Sequence, residues 1–232
     1  MVFTPLYIDL SGFRVLVVGG GYVGARRALF FKEAGARVTV AAKEFRKELT
    51  QVDGIELVRV DLPRDMALLE ELIKTHDLIV IAVSDDQLAE EVAEKALRER
   101  KLVNNSVDYR KGNVIVPFRA LAGGLGVAVT SFGSSGMAAR VALEKAVEAI
   151  AGDPEVRAIL ESFGKLKRQL RETVRDPRLR MRIYMAVEED ALYRELVKRG
   201  NARGAYERAL EVARGFGVSL QPLDDSVLEE RQ

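Results

Sequence analysis

An α/β fold built on a mostly parallel sheet is what this sequence predicts, and three observations predict it. Short runs of β-branched and aliphatic residues alternate with segments of helical apolar spacing over residues 13–107. The runs are apolar throughout, not at every second position, as in strands covered on both faces. The first run ends in Gly19-Gly20-Gly21 and a helical pattern follows, so strand, glycine turn and helix come in the order of a βαβ unit.

Taken in order, Phe13 to Val18 (FRVLVV) is the first strand. Tyr22 to Ala34 has helical spacing, with Gly35 as its C-cap. Arg37 to Ala42 is a second buried strand, and IELVRV (55–60) and DLIVIAV (77–83) are two more. Helical periodicity fills 65–74 and 86–100, and KLVNNSV (101–107) is the fifth strand. The pattern then changes. Runs 113–118 and 126–131 are joined by a link too short for a crossover helix, so a hairpin appended to the sheet is expected. Ser134-Ser135-Gly136 offers an N-cap for a helix over 137–151, and Gly152-Asp153-Pro154 is a stop, a cap and a proline at the first helical position. Helices are expected at 154–174, 177–199 and 202–214, with a frayed tail after Gly217. The chain divides on this reading into a dinucleotide-binding domain (1–112), a hairpin-and-helix segment for dimerisation and substrate (113–152) and a helical domain (153–232).

The 232 residues are 48% hydrophobic, enough for a real core, and their net charge is +1. Whole-chain electrostatics thus favour neither nucleic acid nor membrane. There is no cysteine, which excludes disulfides, thiolate metal sites and a cysteine nucleophile, and the single histidine, His76, excludes a multi-histidine metal cage. No metal site is expected. No apolar stretch approaches the roughly 20 residues needed to span a bilayer. The start MVFTPLYIDLSG lacks a basic and an apolar leader region, so a soluble, cytoplasmic protein is expected.

Gly19-x-Gly21-x-x-Gly24 sits between strand and helix, the context in which such glycines carry a dinucleotide. The first permits the tight turn, the second lets a pyrophosphate approach, and the third lets helix and strand pack closely. Tyr22 and Val23, between the last two, open the helix facing the phosphates. This makes the sheet Rossmann-type. The acidic residue usual at the end of the second strand would fall at Ala41 or Ala42; Glu44 lies just beyond it, beside Lys43. Either Glu44 or backbone groups read the ribose, or the cations admit a 2′-phosphate, with NAD favoured over NADP. Ser84 and Asp85 follow the fourth strand on the cofactor side and also suit a helix N-cap. Asp108 ends the fifth strand, where open α/β sheets place ligands, though aspartate is also common in turns. Ser131, Ser134 and Ser135 form a glycine-interrupted loop before a helix, fit for an anion or for capping. A hydrolase triad is excluded, since His76 stands just before a strand and no G-x-S-x-G elbow exists.

Four stretches in order resemble the precorrin-2 dehydrogenase family, which includes the N-terminal half of sirohaem synthases. They are Pro5 to Gly12, similar to the family's lead-in strand; VVGGGYVGARR (17–27); Asn105-Ser106-Val107-Asp108; and AVTSFGSSGMAAR (128–140). The likeness spans about residues 3–145. Gly136 stands where the family usually has proline, Phe132 replaces a glycine, Ala89 stands where asparagine is common, and Asn113-Val114 replaces an acidic-aromatic pair. The resemblance implies NAD-dependent oxidation of precorrin-2 to sirohydrochlorin by a homodimer, with Asp108 as catalytic base and Ser131 first among the site serines. It also implies a basic surface for a polycarboxylate, for which Arg110, Lys111, Arg119 and Arg140 are candidates. A second candidate is the helical run Lys165, Lys167, Arg168, Arg171, Arg175, Arg178, Arg180 and Arg182. Two alternatives stay open: an enzyme that also inserts iron or cobalt into sirohydrochlorin, and a non-enzymatic nucleotide sensor. The segment Asn105–Arg140 discriminates against the sensor, which has no use for it.

Overall fold

The computed structural model describes residues 3–223. By compactness these form two units. One runs to Phe118 and adds Thr130–Ala139; the other holds Arg119–Val129 and the chain from Arg140 on.

The first unit is a five-stranded parallel sheet in the order β3-β2-β1-β4-β5, with β1 Arg14–Val18, β2 Arg37–Ala42, β3 Ile55–Arg59, β4 Leu78–Ile81 and β5 Leu102–Asn105. The apolar runs lie where expected, and β1, β2 and β4 are buried on both faces beyond their first residues. Alternate residues go to opposite sides. Val15, Val17, Val38 and Val40 pack with Ala25, Ala28 and Phe31 of α1 (Tyr22–Glu33). Leu16, Val18, Ile79 and Ile81 pack with Leu69 and Ile73 of α3 (Met66–Thr75) and Val92 and Ala96 of α4 (Asp86–Arg98). Each fully buried leucine or isoleucine contributes about 1.5–3 kcal/mol. A four-residue helix, α2 (Lys47–Thr50), was not foreseen; Leu49 anchors it to the α1 face. The chain crosses from one half of the sheet to the other between β3 and β4. The crevice beyond the C-terminal ends of the adjacent β1 and β4 is therefore where a ligand fits.

Several expectations are corrected. The lead-in segment is not a strand; Leu6, Tyr7 and Ile8 are exposed and outside the sheet. The hairpin is β6 (Phe118–Ala122) and β7 (Leu125–Val129), a separate two-stranded sheet rather than an addition to the first. Gly123 and Gly124 both adopt positive φ, the two-residue turn that sets this register, whereas residues 113–114 are claimed by β5. There the Asn113 side chain accepts from the Val103 amide at 2.6 Å and donates to Lys101 O at 3.1 Å, and Asn104 Nδ2 donates to Val114 O at 3.0 Å, covering the sheet edge without a ladder.

In the second unit, α5 (Gly136–Gly152, its first residues in the first unit) is followed by α6 (Pro154–Thr173), α7 (Pro177–Glu189), α8 (Ala191–Lys198) and α9 (Ala202–Arg214). The helix expected over 177–199 is broken at Asp190, without glycine or proline. Its carboxylate accepts from the Tyr193 amide at 2.8 Å and binds Arg208 of α9 through both oxygens, at 3.0 and 2.7 Å. Leu166, Leu170, Ile183, Val197 and Leu210 form the core, joined by Leu220. The tail after Gly217 is therefore docked as far as it is described: Gln169 Nε2 donates to Gln221 O at 2.5 Å and Leu223 N to Tyr206 Oη at 3.2 Å. The remainder of that tail, 224–232, lies outside the described residues. Much of the basic run has local employment. Lys165 lies over the Tyr206 ring, Lys167 over Tyr184 and Arg182 over Phe216, while Arg180 donates to the Val174 and Arg175 carbonyls at the end of α6.

Candidate functional site

Two clefts open at the C-terminal edge of the sheet in the first unit. The first, of about 580 Å³, is lined by Gly19, Gly20 and Gly21 after β1, by Ala41–Glu44 after β2, by Val60–Pro63 after β3, and by Ala82–Asp85 with Gln87, Leu88 and Glu91 at the start of α4. The glycines have distinct jobs. Gly19 has φ +118°, and a β-carbon on it would overlap the Ala82 carbonyl. A β-carbon on Gly24 would overlap the Gly19 carbonyl, and one on Gly20 the Glu44 carbonyl. Gly21 alone of the four faces open space. It is also the N-cap of α1, where no side chain caps the first turn and no acidic residue lies in it. Amides at a twelve-residue helix N-terminus, beside a backbone with free space in front of it, suit a pyrophosphate, so the residues present fit a dinucleotide.

Of the cofactor candidates, Gly19, Gly21, Lys43, Glu44, Ser84 and Asp85 line this cleft, while Tyr22, Val23 and Gly24 stand beside it on the first turn of α1. Tyr22 is flanked by the guanidinium groups of Arg26 and Arg46, 5.6 and 5.7 Å from its ring centre. Asp85 caps α4, accepting from Leu88 N at 2.9 Å. Among the lining residues not singled out as candidates, two have an identifiable reason to be there. Gly20 is forced by the Glu44 carbonyl, and Asp61, from the next strand, pairs with Lys43 at 3.2 Å. Only the pairing of β2 with β3 reveals the second.

The second cleft, of about 560 Å³, is lined by Asn105 and Val107–Lys111 after β5, by Asp86 and Ala89 of α4, and by Phe132–Ser134. Asp85 and Asp86 are consecutive yet line different clefts, so the first turn of α4 is their common wall. Asp108 is held from both sides. Asn105 Oδ1 accepts from the Val107 and Asp108 amides at 2.9 and 3.0 Å, setting the turn. The Asp108 carboxylate accepts from Arg110 N, Nε and Nη2 at 3.0, 2.9 and 3.0 Å. The Arg110 side-chain and then backbone hydrogen bonds hold this carboxyl below the usual aspartate range, so it is ionised at neutral pH. Asn105 Nδ2 is buried and has no partner, in a residue only 2% exposed. Among the serines, Ser134 lines the cleft. Ser131 Oγ accepts from Ser135 N at 2.9 Å, and Ser135 Oγ from Ala138 N at 3.1 Å, so both hydroxyls shape the turn into α5. Lys111 pairs with Glu90 at 2.6 Å, whereas Arg119 and Arg140 belong to the second unit.

His76 is buried away from both clefts, with Nδ1 2.6 Å from Leu72 O and Nε2 2.9 Å from Thr39 Oγ1. Among the described residues, no group of three or more histidine, aspartate or glutamate side chains could hold a metal ion, and no helix is long and apolar enough to cross a membrane.

Comparison with known proteins bears on the family and the fold. A family model for NAD(P)-binding domains matches residues 6–118. A precorrin-2 dehydrogenase from Methanosarcina barkeri is 30% identical over 215 residues, 91% of this chain and 92% of its own. The chain belongs to the precorrin-2 dehydrogenase family. Sirohaem synthases also match: that of Mannheimia succiniciproducens is 28% identical over 228 residues, and that of Escherichia coli 37% over 143. The matches cover 95% and 61% of this chain but only 46% and 30% of those synthases, less than half their length. Among solved structures, the precorrin-2 dehydrogenase SirC aligns with a TM-score of 0.61 at 21% identity, covering 89% of this chain and all of that one, and so shares the family fold.

Proposed function

We propose that this protein dehydrogenates precorrin-2 to sirohydrochlorin in sirohaem synthesis. One observation carries the reading: a cleft ready for a dinucleotide pyrophosphate shares the first turn of α4 with a second cleft that presents an ionised carboxylate. Gly19, Gly21 and the amides opening α1 would hold NAD in the first cleft, and its ring would supply the hydride acceptor. The chain supplies the rest. Hydride loss from carbon requires a proton to leave too, and of the two carboxylates lining the second cleft, Asp86 and Asp108, we assign the base to Asp108, which follows the C-terminal end of β5. While Arg110 holds it, Asp108 is a weak base. The Arg110 side chain is 72% exposed, so a substrate carboxylate can draw the guanidinium away and leave Asp108 more basic. Ser134 lines the same cleft, and Ser131 and Ser135 keep its loop in place. Arg119 and Arg140, in the second unit, we assign to the binding of carboxylates.

The segment 113–152 we assign to a homodimer interface as well as to the substrate. A two-stranded sheet is marginal by itself, and β6 leaves Leu121 81% exposed. The reaction belongs in the cytoplasm, where NAD and the tetrapyrrole are both in solution. Anaerobic incubation with precorrin-2 and NAD should develop sirohydrochlorin absorbance together with NADH. No change in either band would sink the proposal. Adding cobalt(II) as a further substrate to the same cuvette reads metal insertion separately.

A further inference from the structure

Phe132 lines the second cleft and has no part in the chemistry above. It has φ +49°, and with Arg100 it is one of two non-glycine residues described in the left-handed region. Arg100 closes α4, where that conformation is ordinary, with its amide bonded to Leu97 O and that of Lys101 to Ala96 O. Phe132 closes no helix. A bulky residue held at positive φ is strained, and this one is also half-exposed, at 49%, so neither backbone preference nor burial accounts for it. Its surroundings are aromatic. The Phe3 ring lies 6.3 Å from both the Phe132 and Tyr109 rings, and a β-carbon on Gly133 would come within 2.8 Å of Tyr109, so the loop is seated on that ring. Phe132 and Tyr109 both line the cleft, to which Asn105 contributes a buried donor without a partner. Apolar ring faces, an unused donor and the exposed Arg110 guanidinium, which can pass from Asp108 to a ligand carboxylate, together describe a ligand that is flat, bears an acceptor and carries carboxylates.

We propose that Phe132, backed by Tyr109 and Phe3, is a ring-face platform that selects a macrocyclic tetrapyrrole in the Asp108 cleft. The assignment rests on the function proposed above and adds a specificity-determining residue to it. Glycine at this position would relieve the strain, so Phe132→Gly tests the side chain without threatening the fold. Uroporphyrin, a tetrapyrrole polycarboxylate with no hydride to give, is the probe, titrated by its visible absorbance; NAD is titrated separately by calorimetry. Phe132→Gly should melt no lower than the wild type and bind NAD equally, yet bind uroporphyrin about tenfold more weakly, as expected for loss of one aromatic face. Phe132→Tyr should bind like the wild type. Uroporphyrin affinity within twofold of wild type in Phe132→Gly would overturn the platform. An equal loss of NAD affinity would overturn it too, because the ring would then serve the nicotinamide. If the wild type binds NAD but no uroporphyrin, the tetrapyrrole reading itself falls, a result distinct from either.

Discussion

At the scale of single residues, the glycine turn separates binding from folding. Gly21 faces open space, so Gly21→Val should fold normally and lose NAD affinity, read by calorimetry beside a melting curve. Gly24 faces the Gly19 carbonyl, so Gly24→Ala should cost about 1–3 kcal/mol of stability in a urea titration, as overpacking against backbone does. A Gly21→Val protein with undiminished NAD affinity would contradict the cofactor site. Asp108 supports a second test. Asp108→Asn should keep NAD affinity and reduce turnover about a hundredfold or more. In Arg110→Gln the side-chain hydrogen bonds, the larger cause holding the Asp108 carboxyl low, are gone while the backbone one stays, so its pKa rises. The base is then lost to protonation sooner as the solution is acidified, and the acid limb of kcat/KM should move to higher pH. An unmoved acid limb would mean that Asp108 is not the group titrating there.

At the scale of elements, caps and clamps decide where helices stop. Asp190 ends α7, caps α8 and binds Arg208 of α9. Asp190→Ala should destabilise the protein by about 0.5–2 kcal/mol from the cap alone. The Arg208 hydrogen bonds hold the Asp190 carboxyl below its ordinary value. Its stabilisation is therefore present above the unfolded-state pKa and lost as pH falls through the lower folded-state value. Wild type and Asp190→Ala should differ in urea midpoint at neutral pH and converge in acid; a constant gap would assign the effect to packing. Neither the break at Asp190 nor the hairpin register is encoded in spacing, since a carboxylate that breaks a helix looks like any surface aspartate until Arg208 is beside it.

At the scale of the whole molecule, the exposed Leu121 bears on assembly. Leu121→Asp should lower the mass seen by light scattering from that of a dimer to that of a monomer, with the melting temperature of the first unit little changed; a wild-type monomer at all concentrations would refute the interface. What the sequence determined by itself were the features encoded within a few residues. The apolar runs of β1, β2 and β4 specify strands buried on both faces, Gly19 to Gly24 specify the turn before α1, and Asp153-Pro154 specifies the start of α6, because side-chain period and capping act locally. The tertiary structure alone decided what lies beside what. It brought Asp61 to Lys43, returned Thr130–Ala139 to the first unit so that Phe132 and Ser134 join Asp108, and left Asn105 Nδ2 without a partner. Those neighbours are separated by many residues along the chain, and only strand order and packing across the sheet set their distance.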